Sequence, residues 1–163
     1  MPTNFVLTNM KIEEVIKATS ELDIIKKVIL NFTYTQNIIS DKFHEILKPF
    51  EISREQFNVL RILRGQKGRP VNMTVIQERM LSKNSNTTRL IDKLLLKDFV
   101  TRNVCPENRR KIEVLITQKG MDLLNKLDLT VNEHERYFAQ NLTNEELEQF
   151  NTLLEKFRNT NNQ

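Results

Sequence analysis

The sequence predicts a mainly α-helical protein with one small β-hairpin. Apolar residues recur at spacings of three and four over most of the chain, helix-capping residues precede several of these stretches, and one pair of β-branched segments interrupts them. The 163 residues, 39% of them hydrophobic, suffice for one domain with a real core. No apolar run approaches the roughly 20 residues that cross a bilayer, and no secretory signal is visible. Because a single cysteine, Cys105, also rules out an internal disulfide, we expect a cytoplasmic protein with no membrane partner.

A long helix is predicted near the N-terminus, over residues 22–50. Its apolar stripe, which includes Ile25 and Ile29, repeats close to the 3.5-residue period of coiled-coil packing, and Pro49 ends it. At 1.5 Å per residue this helix runs roughly 40 Å, which is longer than the core of a small domain needs. We therefore expect part of the stripe to contact a second subunit. A short helix over residues 11–18 is predicted before it.

Three shorter helices follow in the middle of the chain. Ser53 and Gln56 have the spacing of a capping box that opens the first, which stops before Gly65. Asn72 caps the second. Residues 82–85 form the turn and cap of the third. The buried stripe predicted for the third helix is Thr88, Ile91, Leu94 and Leu95.

A hairpin and two further helices complete the chain. Residues 99–104 and 111–116 are β-branched and apolar, and the polar, basic connector 105–110 joins them as two strands. Thr117 caps the helix that follows, and a second capping box at Thr143 opens the last. This order is typical of a winged helix-turn-helix inside a helical dimerisation frame. The predicted parts are dimerisation helices in residues 1–50, the winged helix-turn-helix domain in 51–119 and further dimerisation helices in 120–163.

The charge is concentrated in the middle of the chain. The net charge of +4 divides into 0 for residues 1–50, +8 for residues 51–119, with fifteen basic against seven acidic side chains, and −4 for residues 120–163. A basic segment between neutral and acidic flanks is an electrostatic footprint for a polyanion, most often nucleic acid. The alternative is a solvated, salt-bridged surface with no anionic partner.

The start of the third short helix has the chemistry of a DNA reader. In a helix-turn-helix the first turn of the second helix meets base edges in the major groove. Asn86 can pair with adenine, Thr87 offers a hydroxyl and a methyl group, and Arg89 can donate two hydrogen bonds to guanine. The alternative for these residues is ordinary capping and turn chemistry. The set predicted to contact DNA is Lys83, Asn84, Ser85, Asn86, Thr87, Thr88, Arg89 and Lys93.

The segment from Ile52 to Gly120 resembles the MarR family of transcription regulators. The matching stretches are Ile52-Ser53 with Gln56-Phe57-x-Val59-Leu60, Arg89-Leu90-Ile91-Asp92-Lys93-Leu94, Phe99-Val100-x-Arg102, and Asn108-Arg109-Arg110-Lys111 leading to Ile116-Thr117-x-x-Gly120. The resemblance implies a homodimer that binds a pseudo-palindromic site on double-stranded DNA, as a repressor. Two residues depart from the family pattern, because Asp98 replaces a glycine before the first wing strand and Asn108 replaces an aspartate.

The resemblance also assigns the wing. It places Arg110 in the minor groove, where narrowing over A·T-rich sequence deepens the negative potential. Arg109 and Lys111 are assigned to phosphates, and Asn108 completes the predicted wing contacts. Without the family aspartate, a carboxylate that holds a neighbouring arginine is missing. The alternative is a solvated charged hairpin.

The resemblance further implies a small aromatic or anionic effector that binds between the dimer helices and the DNA-binding lobe. The aromatic residues available to line such a site are Phe32, Tyr34, Phe43, Phe50 and Phe57, and the alternative is that this stripe is core. No cofactor, metal site or catalytic constellation is predicted, since His44 and His134 lie about 90 residues apart beside glutamates, as on solvated helix faces. Cys105 is expected to be a surface thiol of the wing.

Two other classes of function compete with DNA binding. The winged domain of a helical protein-interaction module would bind a protein or an anionic surface. RNA binding is less favoured, because the basic segment lacks aromatic residues placed to stack on bases.

Overall fold

The computed structural model describes the backbone of residues 10–105 and 108–159, and their side chains except those of residues 105 and 108–111. Seven α-helices, one 3₁₀ turn and three strands lie in these residues, in the order α1 (Ile12–Val15), α2 (Ile24–Leu47), the 3₁₀ turn (Lys48–Phe50), α3 (Arg54–Arg64), β1 (Val71–Asn72), α4 (Met73–Arg79), α5 (Thr87–Leu95), β2 (Val100–Cys105), β3 (Asn108–Ile116), α6 (Gln118–Ala139) and α7 (Asn144–Arg158). The mainly α-helical fold with a small hairpin is confirmed. Among the described residues, no helix combines the length and apolarity needed to cross a membrane.

The chain divides into two compact units, residues 1–42 and residues 43–163. In the described part of the first unit, α1 is a single turn, shorter than the predicted helix over residues 11–18. The Nζ of Lys27 lies 2.6 Å from a carboxylate oxygen of Glu13. The first turns of α2 leave Ile24 and Ile25 largely exposed, the latter at 71%. The expected apolar stripe is therefore present but uncovered at its start.

The second unit holds the main hydrophobic core, and α3 is central to it. Ser53 Oγ accepts the backbone N–H of Gln56 at 3.2 Å, and the Gln56 side chain accepts the N–H of Ser53 at 2.8 Å, so the predicted capping box is confirmed. Arg64 donates two hydrogen bonds to Asp128 on α6, at 2.8 and 2.9 Å. The inward residues of α3 and α6 are Phe57, Val59, Leu60, Leu63, Leu123, Leu124, Leu127 and Val131.

The sheet is antiparallel, in the order β1-β3-β2. The two residues of β1, Val71 and Asn72, pair with Val114 and Glu113, and this strand is absent from the sequence prediction because two residues carry no alternation signal. The predicted connector 105–110 is also too long, since β2 and β3 extend into it. The hydrogen bonds between β2 and β3 join backbone groups only, so the two strands extend beyond the residues whose apolar side chains predicted them.

The approach of α6 to the hairpin explains the Ile-Thr-x-x-Gly motif. The hydroxyl of Thr117 accepts the N–H of Gly120 at 3.1 Å and donates to the carbonyl of Asp98 at 2.7 Å. A Cβ on Gly120 would lie 2.3 Å from the carbonyl oxygen of Phe99, so only glycine permits this contact. Asp98 has φ 58°, the left-handed conformation that favours the family's glycine.

Two predictions about side chains of the second unit need correction or completion. His134 is not on a solvated face, because its ring packs against Phe43 and Phe138, with centroids 5.3 and 5.1 Å away. Helix α7 forms as predicted, with Thr143 as its cap, but none of its residues is buried. Its apolar side chains Phe150, Leu153 and Phe157 are exposed.

Candidate nucleic-acid interface

Helix α5 begins at Thr87, and Asn86 is its N-cap. The Oδ1 of Asn86 accepts the backbone N–H of Arg89 at 3.0 Å. The cap was expected within residues 82–85, so its position is corrected by one residue. Since this oxygen is already engaged, the structure favours the capping interpretation for Asn86 over a two-bond contact with adenine.

The first turn of α5 is rotated relative to the prediction. Thr87 is only 6% exposed, and its hydroxyl donates to the side-chain oxygen of Gln77 on α4. Thr88, expected to face inward, is exposed. One residue along a helix turns the side chain by about 100°, which is enough to exchange the two roles. Thr87, expected to offer its hydroxyl and methyl group to a base, is therefore placed on the buried side of α5 with Ile91 and Leu94.

The outward side of α5 carries the other predicted residues. Thr88, Arg89 and Lys93 are exposed, as are Lys83 and Asn84 in the preceding turn, and Ser85 is half-buried. Arg89 and Lys93 line an open groove of about 360 Å³ between α5 and the start of α3. The structure thus brings seven of the eight predicted residues to the turn and the outward side of α5, and leaves out Thr87.

An ion pair joins this helix to the hairpin. Arg102 on β2 donates to a carboxylate oxygen of Asp92 on α5 at 2.7 Å. Asp92 is the only acidic residue of α5, so the pair neutralises a charge that would repel phosphates. A second pair joins Lys97 to Glu51 at 2.8 Å, and this hydrogen bond holds the pKa of Glu51 below its usual value of 4.5.

Ion pairs neutralise part of the positive charge of the middle segment. Arg64 is paired with Asp128, Arg102 with Asp92 and Lys97 with Glu51. These pairs fit the salt-bridged alternative for part of the segment. Arg89, Lys93 and Lys83 form no ion pair among the interactions of the described residues, so the positive charge around α5 is available to an anion.

The wing residues are placed by their backbone only. Asn108, Arg109, Arg110 and Lys111 belong to β3, and their side chains lie outside the described part of the structure. The same holds for the side chain of Cys105. Their predicted contacts therefore stay predictions.

The aromatic residues considered for an effector site have two different environments. Phe43 and Phe57 pack edge to face, with ring centroids 5.4 Å apart, and Phe50 packs against the same core. Phe32 and Tyr34 belong to the first unit. For Phe43, Phe50 and Phe57 the structure agrees with the core alternative. In the described residues, no three His, Cys, Asp or Glu side chains are grouped as metal ligands.

Two amide side chains that the sequence interpretation omitted hold the turn before α5. Asn58 on α3 accepts the N–H of Leu81 at 3.0 Å, and Gln77 on α4 donates to the carbonyl of Lys83 at 2.7 Å. Half-buried amides within helices leave no periodic signal, so the sequence pattern could not have identified them.

These elements define a winged helix-turn-helix protein. Residues 52–112 match the profile of the family described as MarR family. The crystal structure of a MarR transcription factor from Planctomyces limnophilus is 30% identical, with 83% of this chain and 98% of that chain covered and a TM-score of 0.65. This protein therefore belongs to the MarR family of transcription regulators.

Two further relatives are similar over most of the chain. The HTH-type transcriptional regulator PapX of Escherichia coli is 25% identical over 118 residues, which span 72% of each chain. A mutant MarR from E. coli, complexed with operator DNA, is 22% identical, with 84% of this chain and 99% of that chain covered and a TM-score of 0.68. The second likeness is one of fold.

Proposed function

We propose that this regulator is a cytoplasmic homodimer that binds a pseudo-palindromic operator as a repressor. Helix α5 enters the major groove, and the hairpin of β2 and β3 enters the adjacent minor groove. The observation that carries the proposal is the outward side of α5, where Thr88, Arg89 and Lys93 are exposed within the +8 segment. A mutant MarR of E. coli that is similar in fold was solved in complex with operator DNA, which supports operator DNA as the partner.

The residues of α5 divide between bases and phosphates. Arg89 lies in the first turn, where a side chain reaches base edges, and its guanidinium can donate two hydrogen bonds to guanine. Thr88 can contact a thymine methyl group. Lys93 lies one turn further along and is suited to a phosphate. Asn86 contributes by capping the helix, and Arg102 contributes by neutralising Asp92.

The wing contacts are part of the proposal. Arg110 enters the minor groove, and Arg109 and Lys111 bind phosphates on either side. The basic residues lie on β3, which pairs with the strand that is tied to α5 through Arg102. That connection supports a hairpin held at one orientation to the recognition helix.

The homodimer is proposed from uncovered apolar side chains. Ile24, Ile25 and Ile29 are exposed on α2, and Phe150 and Leu153 on α7. Exposed apolar surface of this kind is typical of an interface, because its burial contributes about 25 cal/mol per Å². A dimer would present two α5 helices, which read half-sites about 34 Å apart.

Footprinting on DNA upstream of the protein's own gene tests the proposal. We expect two protected half-sites, and we expect Arg89→Ala to cost about 1–3 kcal/mol of binding free energy with a changed base preference. Arg136→Ala, which removes an exposed arginine of α6, is the matched control and should leave affinity unchanged. If the wild-type protein shows no sequence-specific binding at low salt, the winged domain belongs to a protein-interaction module instead.

Release by a small aromatic or anionic effector completes the proposal. A thermal-shift screen with aromatic acids and phenols identifies candidates, since a ligand that binds the folded state raises its melting temperature. An effector must also release operator DNA in a mobility-shift titration. Ligands that stabilise the protein without releasing DNA contradict this part of the proposal only.

A further inference from the structure

The turn that presents α5 has little packing of its own. Residues 81–84 are all exposed, Leu81 at 80%, although Met80 before them and Thr87 after them are buried. One backbone hydrogen bond lies within the turn, from the N–H of Ser85 to the carbonyl of Ser82 at 3.2 Å. The conformation of the turn must therefore depend on hydrogen bonds from side chains around it.

Gln77 makes two of these hydrogen bonds, in opposite directions along the chain. Its Nε2 donates to the carbonyl of Lys83 in the turn at 2.7 Å. Its Oε1 accepts from the hydroxyl of Thr87, the first residue of α5. One half-buried amide on α4 thus binds both the middle of the turn and the start of α5.

Two further contacts support the same turn. Asn58 on α3 accepts the N–H of Leu81, and the ammonium group of Lys83 donates to the carbonyl of Glu78. Neither contact reaches α5. Of these side-chain hydrogen bonds, the one from Thr87 to Gln77 is therefore the link between α4 and the first turn of α5.

We propose that Gln77 is a positioning residue for sequence reading by α5. It acts through Thr87, whose buried hydroxyl anchors the turn of helix that carries Thr88 and Arg89 on its outward side. A side chain must approach a base accurately to form two hydrogen bonds with it, whereas attraction to phosphates tolerates small displacements. Loosening the first turn of α5 should therefore weaken the preference for the operator over other sequences more than it weakens binding to DNA in general. This inference rests on the proposed function.

Operator affinity of Gln77→Met and Thr87→Val tests the inference. Methionine matches the length of glutamine without its hydrogen bonds, and valine matches the shape of threonine without its hydroxyl. We expect each variant to bind the operator about tenfold more weakly, with unchanged affinity for unrelated DNA and an unchanged salt slope. The double variant should lose no more than Gln77→Met, because both changes remove one connection.

Controls separate positioning from general damage to the fold. Thr87→Ser keeps the hydroxyl and should retain the wild-type base preference. Gln66→Met removes a part-buried glutamine in the turn after α3, whose amide donates to the carbonyl of Ile62, and this variant should bind DNA like the wild type. Hydrogen exchange at the amides of residues 81–89 should accelerate in Gln77→Met and in Thr87→Val, but not in Thr87→Ser.

Two outcomes overturn the inference. The first is that both Gln77→Met and Thr87→Val prefer the operator over unrelated DNA as strongly as the wild type does. The second is an equal loss of specific and non-specific affinity, which indicates a general structural role; if Gln77→Met fails to fold, Thr87→Val alone decides. A wild-type protein without specific binding overturns the proposed function and this inference together, whereas an intact wild type with unaffected variants overturns this inference only.

Discussion

Helices α3 and α7 begin in the same way and end in different surroundings. In both, the capping hydroxyl, from Ser53 or Thr143, accepts a backbone N–H at 3.2 Å, and the partner side chain accepts the cap residue's own N–H at 2.8 Å. Both helices carry an apolar stripe at helical spacing. From the local sequence they are equivalent.

Their burial differs completely. Helix α3 buries five residues, whereas α7 buries none and leaves Leu153 61% exposed. Helices α4, α5 and α6 and strand β3 cover α3. An amphipathic pattern therefore predicts that a face will be covered, but it does not say whether the same chain supplies the cover. The proposed dimer explains α7 as a helix covered by a second copy.

Alanine substitutions at two leucines give the largest expected contrast. Leu60→Ala on α3 removes a fully buried side chain and should lower the free energy of unfolding by about 2–5 kcal/mol, through lost burial and a cavity. Leu153→Ala on α7 should cost less, and its cost should depend on protein concentration, because dimerisation stabilises by mass action. Urea unfolding at two protein concentrations measures both. Equal, concentration-independent losses would mean that α7 is covered within its own chain.

A charged residue on the exposed apolar face of α7 tests directly whether a second copy of the chain covers this face. Leu153→Glu should raise the dimer dissociation constant at least about tenfold, because a carboxylate would be buried without a partner. Leu96→Glu is the matched control, because Leu96 is 86% exposed and follows α5, outside the proposed dimerisation helices, and it should leave the dissociation constant unchanged. Sedimentation velocity over a series of protein concentrations measures the dimer dissociation constant of each variant. If both variants stay dimeric, the face of α7 is not the interface.

The smallest expected difference between α3 and α7 comes from removing their N-cap hydroxyls. Ser53→Ala and Thr143→Ala each remove one capping hydrogen bond, worth about 1 kcal/mol. For Ser53 the loss should appear in global unfolding, since α3 is part of the core. For Thr143 it should appear first as faster hydrogen exchange in the first turn of α7. A full global effect for Thr143→Ala would instead show that α7 unfolds together with the core.

Much of the fold was predictable because its signals are local. A cap and the amide it binds lie three residues apart, so Ser53, Thr117 and Thr143 were identified from sequence. Alternation in residues 111–116 likewise identified the second strand of the hairpin. The residues around α5 were found because charge and short polar side chains concentrate there.

The misplaced details depend on contacts between distant residues. Thr87 and Thr88 are chemically alike and adjacent, and only the packing of α5 on α4 decides that Thr87 meets Gln77 and Thr88 meets solvent. From its sequence neighbours, two glutamates, His134 looks like a surface residue, and only the folded structure shows that its ring packs against Phe43 and Phe138.

The sequence by itself determined the order of the helices and of the two hairpin strands, most of the helix caps and the basic segment that carries the proposed interface. These follow from hydrogen bonds and side-chain periodicity within a few residues, which the chain encodes locally. The tertiary structure decided which side of α5 faces outward, which amides hold its turn, and why Gly120 must be glycine against the Phe99 carbonyl. Those features require groups that are far apart in sequence to meet, so no local pattern records them.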